Sequence, residues 1–284
     1  MRILKKIEKR FLVYLAIILI VLFCDYIYRR RTVTTIKDTE HYLIFSSATV
    51  EQTNEIADIA EITYDGYLKF IKQLQLSVKP HLKLKMKLFK DRKEFRRCNR
   101  IYSWCEAFYK YPYCCQYYAS DEINPYHWMM HEATHQLNAE AAHLSLPEWL
   151  DEGFACYIST SRIVDQSLHL GEIDTDTYPV WWLGDMAISG DLDTDKNNLS
   201  IIPLRSIISG RGGPDIHKYF NLYYLHWWSM AHFFMQYEEG KYIARLKLLI
   251  TDGGDLSSFE KNIGKIEVIE KQWYEHVNKL KDRQ

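Results

Sequence analysis

The feature that most constrains this chain is the pentapeptide from His131 to His135, which has the sequence HEATH. Residues four apart on an α-helix lie on one face, with their Cβ atoms about 5–6 Å apart. Two imidazoles at that distance can bind one zinc ion, and the glutamate between them, Glu132, can act on the water that the zinc carries. The motif therefore predicts a helix here and a third ligand brought close by another element.

The third ligand is predicted at Glu152, in a second helical segment that follows a connection long enough to reverse the chain. The first helix is predicted to start after Asn124, a good N-cap residue, with Pro125 at its first position. In the second segment Ser145 precedes Glu148 by three residues, which is a capping-box pattern. Three protein ligands and a water form an open, catalytic zinc site.

The two segments together resemble a known group of enzymes. The run from His131 to Gln136 has the sequence HEATHQ, and the run from Pro147 to Tyr157 has the sequence PEWLDEGFACY. They resemble the gluzincin metallopeptidases, which include thermolysin and aminopeptidase N. The likeness is greater to the compact peptidase MA-like families, which carry H-E-x-x-H-Q and then P-x-W-L-x-E-G-x-A-x-Y.

The resemblance implies a role for each residue of the site. One catalytic Zn²⁺ would be held by His131, His135 and Glu152. Glu132 would be the general base, because it can accept a proton from the attacking water. Asp151 is a candidate partner that could orient a ligand imidazole.

A tyrosine of the C-terminal lobe stabilises the oxyanion in the aminopeptidase N family, and by position Tyr224 takes that role here. It opens the run from Tyr224 to Phe233, which matches the peptidase MA-like pattern Y-x-x-S-W-x-x-x-H-F except that Trp227 replaces the serine. Tyr223 and His226 are alternatives. These aromatic residues are equally consistent with a packed core.

Two residues beside the motifs are given no part in the chemistry. His127 also lies four residues before His131, but one ion cannot collect three histidines along a helix. His127 is therefore predicted to be a packed or solvent-facing residue. Cys156 is predicted to be a small buried residue.

These residues predict a zinc metallopeptidase that hydrolyses peptide or protein substrates. The aminopeptidase N family binds the substrate amino terminus with a G-x-M-E-N segment, and residues 184–187 do not match it. An endopeptidase is therefore favoured. Two alternatives stay open: a membrane-anchored binding or scaffold protein on an inactive peptidase fold, and a zinc hydrolase of a non-peptide amide, which shares the same chemistry.

The resemblance implies an α+β fold, a zincin-like metallopeptidase domain with two lobes. Residues 29–120 would form a small N-terminal lobe with a mixed sheet, and residues 121–284 a zinc-binding and helical catalytic lobe. Residues 41–48 are rich in strand formers, and apolar residues recur at helical spacing over residues 51–74. Apolar residues alternate with lysines over residues 81–89, which predicts a half-exposed strand.

The run from Cys114 to Ala119 is predicted either as the last strand before the metal helix or as an irregular loop. In gluzincins an edge strand near this point binds the substrate backbone by strand addition. Four cysteines, Cys98, Cys105, Cys114 and Cys115, lie close in sequence, so one or two disulfides could form in an oxidising compartment. No C-x-x-C pair is present, which argues against a second, structural zinc.

The C-terminal lobe is predicted to be helical over residues 219–237, 242–251, 257–262 and 266–280. Before it, the aspartates of residues 190–198 have a spacing that hints at calcium. A lysine and an isoleucine stand where an EF-hand loop has its glycine and its glutamate, so a polar surface loop is predicted.

The N-terminus has a basic segment followed by an apolar one. Residues 1–10 are rich in lysine and arginine, and residues 11–28 are apolar apart from Asp25. We predict an uncleaved signal-anchor with one transmembrane helix over residues 11–28, a cytoplasmic basic tail and an extracytoplasmic enzyme. Cleavage as a signal peptide, which would give a secreted protein, is the alternative.

Charge excludes one class of partner. The chain has 284 residues and a formal net charge of −1. No basic patch or nucleic-acid-binding motif stands out, so no nucleic-acid partner is expected.

Overall fold

The structure is a computed structural model that describes residues 11–23 and 33–282. Residues 11–23 form helix α1. Among the described residues no helix is both long and apolar enough to cross a membrane. The prediction of a transmembrane helix over residues 11–28 is therefore wrong. The predicted basic tail at residues 1–10, like residues 24–28, lies outside the described residues.

The rest of the described chain is α+β, with a mixed five-stranded sheet and many helices. The sheet order is β1-β2-β3-β5-β4, in which β3 is parallel to β2 and β5 while β1 and β4 run antiparallel at the edges. The strands are β1 (Thr35–Asp38), β2 (Tyr42–Ser46), β3 (Leu84–Phe89), β4 (Ala107–Lys110) and β5 (Tyr113–Tyr117). In β3 the apolar residues are buried and the lysines only partly so, as the alternation predicted.

Ten helices follow α1 in the described chain. They are α2 (Val50–Gln73), α3 (Arg92–Cys98), α4 (His127–Gln136), α5 (Glu148–Ser159), α6 (Leu192–Asn197), α7 (Leu204–Ser209), α8 (Phe220–Gln236), α9 (Ile243–Thr251), α10 (Leu256–Asn262) and α11 (Ile266–Lys281). A hairpin joins β6 (Ser161–Val164) to β7 (Ser167–Ile173), and a π-helical turn, Leu137–Ala141, follows α4 directly. Short 3₁₀ turns cover Arg100–Tyr102, Val180–Trp182 and Tyr237–Glu239.

One hydrophobic core connects the sheet to the helices. It runs from Tyr42 in β2 through α2, α4, α5 and α8 to Leu280 in α11. Helix α2 begins with a capping box between Thr49 and Gln52, and it packs one face against the sheet and α4. A second, smaller cluster around Phe95 lies on the other side of the sheet.

The sheet edge differs from the prediction. The predicted strand from Cys114 is present as β5, but β5 lies inside the sheet because β4 returns alongside it. The edge strand on the β5 side of the sheet is thus β4, which the sequence analysis did not identify. No disulfide of the predicted kind joins two of the described cysteines. Cys114 and Cys115 are adjacent on a strand, so their side chains enter different clusters on opposite faces of the sheet.

Two helix starts and one loop also differ from the predictions. Helix α4 begins two residues after Pro125, and α5 has Pro147 rather than Ser145 as its N-cap. The predicted polar loop at residues 190–198 contains α6, and Asp195 within it is buried, where it accepts hydrogen bonds from Ser189 and Tyr274.

Helices α5 and α8 pack closely at Gly153. A Cβ at this position would lie 2.8 Å from the Trp227 carbonyl oxygen, which belongs to the backbone and cannot rotate away. We expect Gly153→Ala to destabilise the protein by about 1–3 kcal/mol despite the better helix propensity of alanine. Urea denaturation measures this. Asp58→Ala on the exposed face of α2 is the control and should change stability by less than about 0.5 kcal/mol. Equal stability of Gly153→Ala and the parent would contradict the close approach.

Candidate metal centre

Helices α4 and α5 bring three metal-binding groups together. His131 and His135 lie one turn apart on α4, and Glu152 faces them from α5. The two Nε2 atoms are 3.2 Å apart, and Glu152 Oε2 lies 3.2 Å from the first and 3.6 Å from the second. In the described residues this is the one group of three or more such side chains close enough to hold a metal ion. We call it the candidate metal centre.

The donor set and its spacing fit zinc. Tetrahedral ligands on bonds of about 2.0–2.1 Å stand roughly 3.3 Å from one another, which is close to the separations found here. Two imidazole nitrogens and one carboxylate oxygen are a usual set for a zinc site with one open position. Burial alone would raise the pKa of Glu152, but hydrogen bonds with His131 and His135 lower it far below its usual range. The carboxylate is thus ionised, as a metal ligand must be.

A chain of hydrogen bonds orients His135 from behind. Its Nδ1 lies 2.9 Å from Asp151 Oδ2, and Asp151 Oδ1 accepts from Asn138 at 2.7 Å. Asn138 in turn accepts from the Tyr67 hydroxyl at 2.8 Å. Because Nδ1–H donates to Asp151, Nε2 is left to face the other two ligands. Burial would lower the pKa of His135, but Asp151 and Glu152 outweigh that effect and raise it well above the usual value.

His131 has a weaker partner, which the sequence analysis did not identify. Its Nδ1 lies 3.8 Å from the Cys156 sulfur, and Cys156 is fully buried as predicted. Burial raises the pKa of this thiol, so it stays protonated. Cys156 lies four residues after Glu152 and therefore on the same face of α5. This spacing is the sequence pattern from which a position of Cys156 near His131 could have been predicted.

Glu132 stands apart from the three donors. It is partly buried on the helix that packs against the edge strand β4, and the Tyr109 backbone of this strand lies close enough to lower its pKa. Burial raises its pKa, although His135 and His131 pull it the other way. A carboxylate with a raised pKa can both accept and return a proton near neutral pH.

Of the three predicted oxyanion donors, Tyr224 lies at the candidate metal centre. Its ring centroid is 6.2 Å from that of His131. Burial and the nearby carboxylates raise the pKa of Tyr224 well above its usual value, so the hydroxyl keeps its proton. Tyr223 instead donates to the Pro214 carbonyl at 2.9 Å. His226 is buried elsewhere, with both ring nitrogens hydrogen-bonded to backbone groups.

Aromatic rings extend the site beyond Tyr224. Tyr178 lies 5.4 Å from the Tyr224 ring and 5.7 Å from Trp181, while Phe220 lies 4.5 Å from Tyr224. Trp181 and Phe220 are each 40% exposed, so they present ring surface to solvent. We call Tyr178, Trp181, Phe220 and Tyr224 the aromatic wall. For residues 178–186, which include Tyr178 and Trp181, the sequence leaves open whether they line a cleft or pack the second lobe.

His127 is packed and takes no part in the donor set. It is 1% exposed, its Nδ1 lies 2.9 Å from the Asn124 carbonyl oxygen, and its ring lies 4.2 Å from Trp128. Burial lowers the pKa of His127 to about 4, so the ring is neutral. The structure therefore agrees with the packed interpretation of His127 and not with the solvent-facing one.

Comparisons with known proteins add no family to this picture. No protein-family model matches the chain, and no curated protein matches its sequence. The resemblance to the gluzincins therefore depends on the two motifs alone, and the function must be argued from the geometry of the site.

We expect His131→Ala, His135→Ala and Glu152→Ala each to lower the affinity for Zn²⁺ by more than roughly 100-fold, since even loss of an outer partner costs 10–100-fold. Zinc analysis of the purified proteins and titration with a chelating dye measure this. His127→Ala is the matched control on the same face of α4 and should bind Zn²⁺ like the parent. Full zinc occupancy in the Glu152 variant would remove that residue from the ligand set.

Asp151→Asn tests the chain of hydrogen bonds behind His135. The amide keeps the size of the side chain but loses the charge that holds the Nδ1 proton, so the affinity for Zn²⁺ should fall about 10–100-fold. The same zinc titration measures it. Asp193→Asn, at an exposed position on α6, is the control. An unchanged affinity in Asp151→Asn would show that His135 needs no carboxylate partner.

Proposed function

We propose that this protein is a zinc-dependent metallopeptidase of gluzincin type that acts on peptide or protein substrates. The observation that carries the proposal is the convergence of His131, His135 and Glu152 at zinc-ligand separations, with Glu132 beside them on the same helix. A purely structural metal site has no use for the carboxylate of Glu132 or for an open fourth position.

Zinc in such a site supplies a Lewis acid and lowers the pKa of water toward about 7. Glu132 accepts the proton as water attacks the carbonyl carbon of the scissile bond. It then delivers that proton to the leaving amine, which requires a group able to change protonation state. Its raised pKa supports this double use.

Tyr224 is the proposed donor to the oxyanion. The hydroxyl stays protonated because burial and the carboxylates of Glu152 and Glu132 raise its pKa. A fixed donor aimed at developing negative charge lowers the barrier more than the ground state, since the charge exists only in the transition state.

The edge strand β4 is the proposed binding surface for the substrate backbone. In the described sheet it pairs with β5 on one side only, so its other edge can accept an extended peptide by strand addition. The packing of β4 against α4, and the effect of the Tyr109 backbone on the pKa of Glu132, support a position of this strand beside the proposed base. The aromatic wall offers apolar surface for substrate side chains. The lack of a G-x-M-E-N segment favours an endopeptidase.

Glu132→Gln separates an enzyme from a scaffold. The amide cannot act as a base at neutral pH, so the variant should bind Zn²⁺ and fold like the parent while losing nearly all hydrolysis. The measurement is cleavage of a peptide library by the full-length protein, with and without a chelator. Inactivity of the zinc-loaded parent on every peptide would count against the peptidase. Hydrolysis of non-peptide amides in that case would favour the second alternative, and no hydrolysis at all the scaffold.

Tyr224→Phe removes only the proposed oxyanion donor. We expect kcat to fall about 10²–10³-fold, as for other deletions of such donors, with little change in KM. Tyr223→Phe is the matched control, because its hydroxyl is bonded to Pro214, and it should keep the activity of the parent. If Tyr224→Phe is fully active while Glu132→Gln is inactive, the donor must be another group, and Tyr178 is the nearest hydroxyl in the aromatic wall.

A further inference from the structure

A second groove, of about 670 Å³, lies between the end of α8, the β6–β7 hairpin and α11, and it shares no residue with the candidate metal centre. Sites for small molecules have volumes of about 300–1,000 Å³. We propose that this groove binds a small organic anion with an apolar body. The residues that carry the proposal are Arg162, His232, Tyr237, His276 and Lys279.

The groove presents positive charge. Arg162 from β6 and Lys279 from α11 line it from two different elements, and both are exposed. The one carboxylate among its described lining residues, Glu238, is ion-paired with Lys241 at 2.7 Å. Because Lys241 offsets that carboxylate, the two cations leave a positive potential in a concave surface, which favours an anion over a cation.

Two histidines give the groove a buried polar side. His232 is 5% exposed, and its Nδ1 lies 3.0 Å from Nε2 of His276. Nε2 of His232 lies 3.3 Å from the Gly171 carbonyl oxygen, which can only accept, so this nitrogen carries a proton. In the neutral ring Nδ1 then accepts from Nε2–H of His276. Each ring is thus oriented by its neighbours without help from a ligand.

Tight packing of β7 against α8 fixes the shape of the groove. Gly171 has a φ of +85°, and a Cβ there would lie 2.2 Å from Nε2 of Gln236. Gln236 also donates to the Tyr157 hydroxyl at 2.6 Å and to the Leu170 carbonyl at 3.4 Å. These contacts hold the side chains that line the groove in place. A ligand would therefore bind without the entropic cost of ordering those side chains, which favours binding.

Apolar groups complete the lining and set the ligand class. Ile173 and Leu280 line the groove together with the ring of Tyr237. That ring is held against Phe233 at 4.7 Å and His276 at 6.1 Å. Burial of a carbon skeleton against these side chains adds to the affinity, so an organic anion should bind more tightly than inorganic phosphate.

The test uses phenyl phosphate as the probe with the full-length protein, which is first freed of metal so that the candidate metal centre cannot capture the anion. We expect saturable binding with a Kd of about 1 mM or lower, followed by the histidine ring signals in NMR spectra. Inorganic phosphate, which lacks the ring, should bind more weakly, and benzylamine, which reverses the charge, should not bind.

Arg162→Gln and Lys279→Gln should each raise the Kd for phenyl phosphate roughly tenfold or more, as loss of a charged hydrogen bond does.

Lys271→Gln is the matched control, because Lys271 is exposed on the same helix as Lys279 but does not line the groove. It should bind phenyl phosphate like the parent. Absence of saturable binding would overturn the proposal, and so would equal affinity in an Arg162→Gln/Lys279→Gln double variant. Binding of benzylamine as tight as that of phenyl phosphate would overturn the anionic class. None of these outcomes depends on hydrolysis at the candidate metal centre.

Discussion

The packing of α5 between α4 and α8 is the constraint on which the candidate metal centre depends. On one face of α5, Gly153 lets the backbone of α8 approach, and Tyr224 on α8 thereby reaches the ring of His131. On the other face, Asp151 and Glu152 reach the histidines of α4. Two adjacent carboxylates on one helix can reach two histidines one turn apart only if the two helix axes lie close together. The same packing thus sets both the donor spacing and the place of the proposed oxyanion donor.

Charge balance gives the centre a second physical requirement. Glu152 is held ionised, and Asp151 carries a further negative charge beside His135. Buried carboxylates need compensating positive charge. In the chain alone that charge is a proton on His135, whose pKa both carboxylates raise. A divalent cation at the candidate metal centre would supply the same compensation in place of that proton, so the carboxylates that would bind the ion also favour its binding by their charge.

The sequence predicted the parts that depend on local spacing. His131 and His135 face one side because a helix has 3.6 residues per turn, and the second motif predicted Glu152. The alternation of β3 and the periodicity of the C-terminal helices also predicted their elements correctly. In each case the residue pattern that predicted the element lies within that one helix or strand. The transmembrane helix, in contrast, was inferred from an apolar run with basic residues before it, and no described helix is both long and apolar enough to cross a bilayer.

Features that depend on contacts between distant segments were missed. Strand β4 has only four residues, and its place at the edge follows from pairing with β5, which no local pattern shows. The sequence left Tyr178 open between a cleft and a packing role, and its ring contact with Tyr224, far along the chain, brings it to the site. Asp195 was predicted in a solvated loop, yet it is buried against Tyr274 from the last helix. The cysteine cluster predicted disulfides, but none joins two described cysteines. The adjacent residues Cys114 and Cys115 lie on one strand and face opposite sides of the sheet.

In the π-helical turn after α4, Leu137–Ala141, the number of residues matters for the position of everything that follows. In this turn the Ala142 amide bonds to the Leu137 carbonyl five residues earlier, and Asn138, which holds Asp151, lies within it. Loss of one residue here would restore an α-helical turn and rotate everything downstream by about 100°. The contact between Asn138 and Asp151 would be lost with it. Insertions and deletions should thus be tolerated in the connection over residues 143–147 and excluded from Leu137–Ala141. Chain length, as well as side-chain identity, is therefore under constraint next to the histidines of the candidate metal centre.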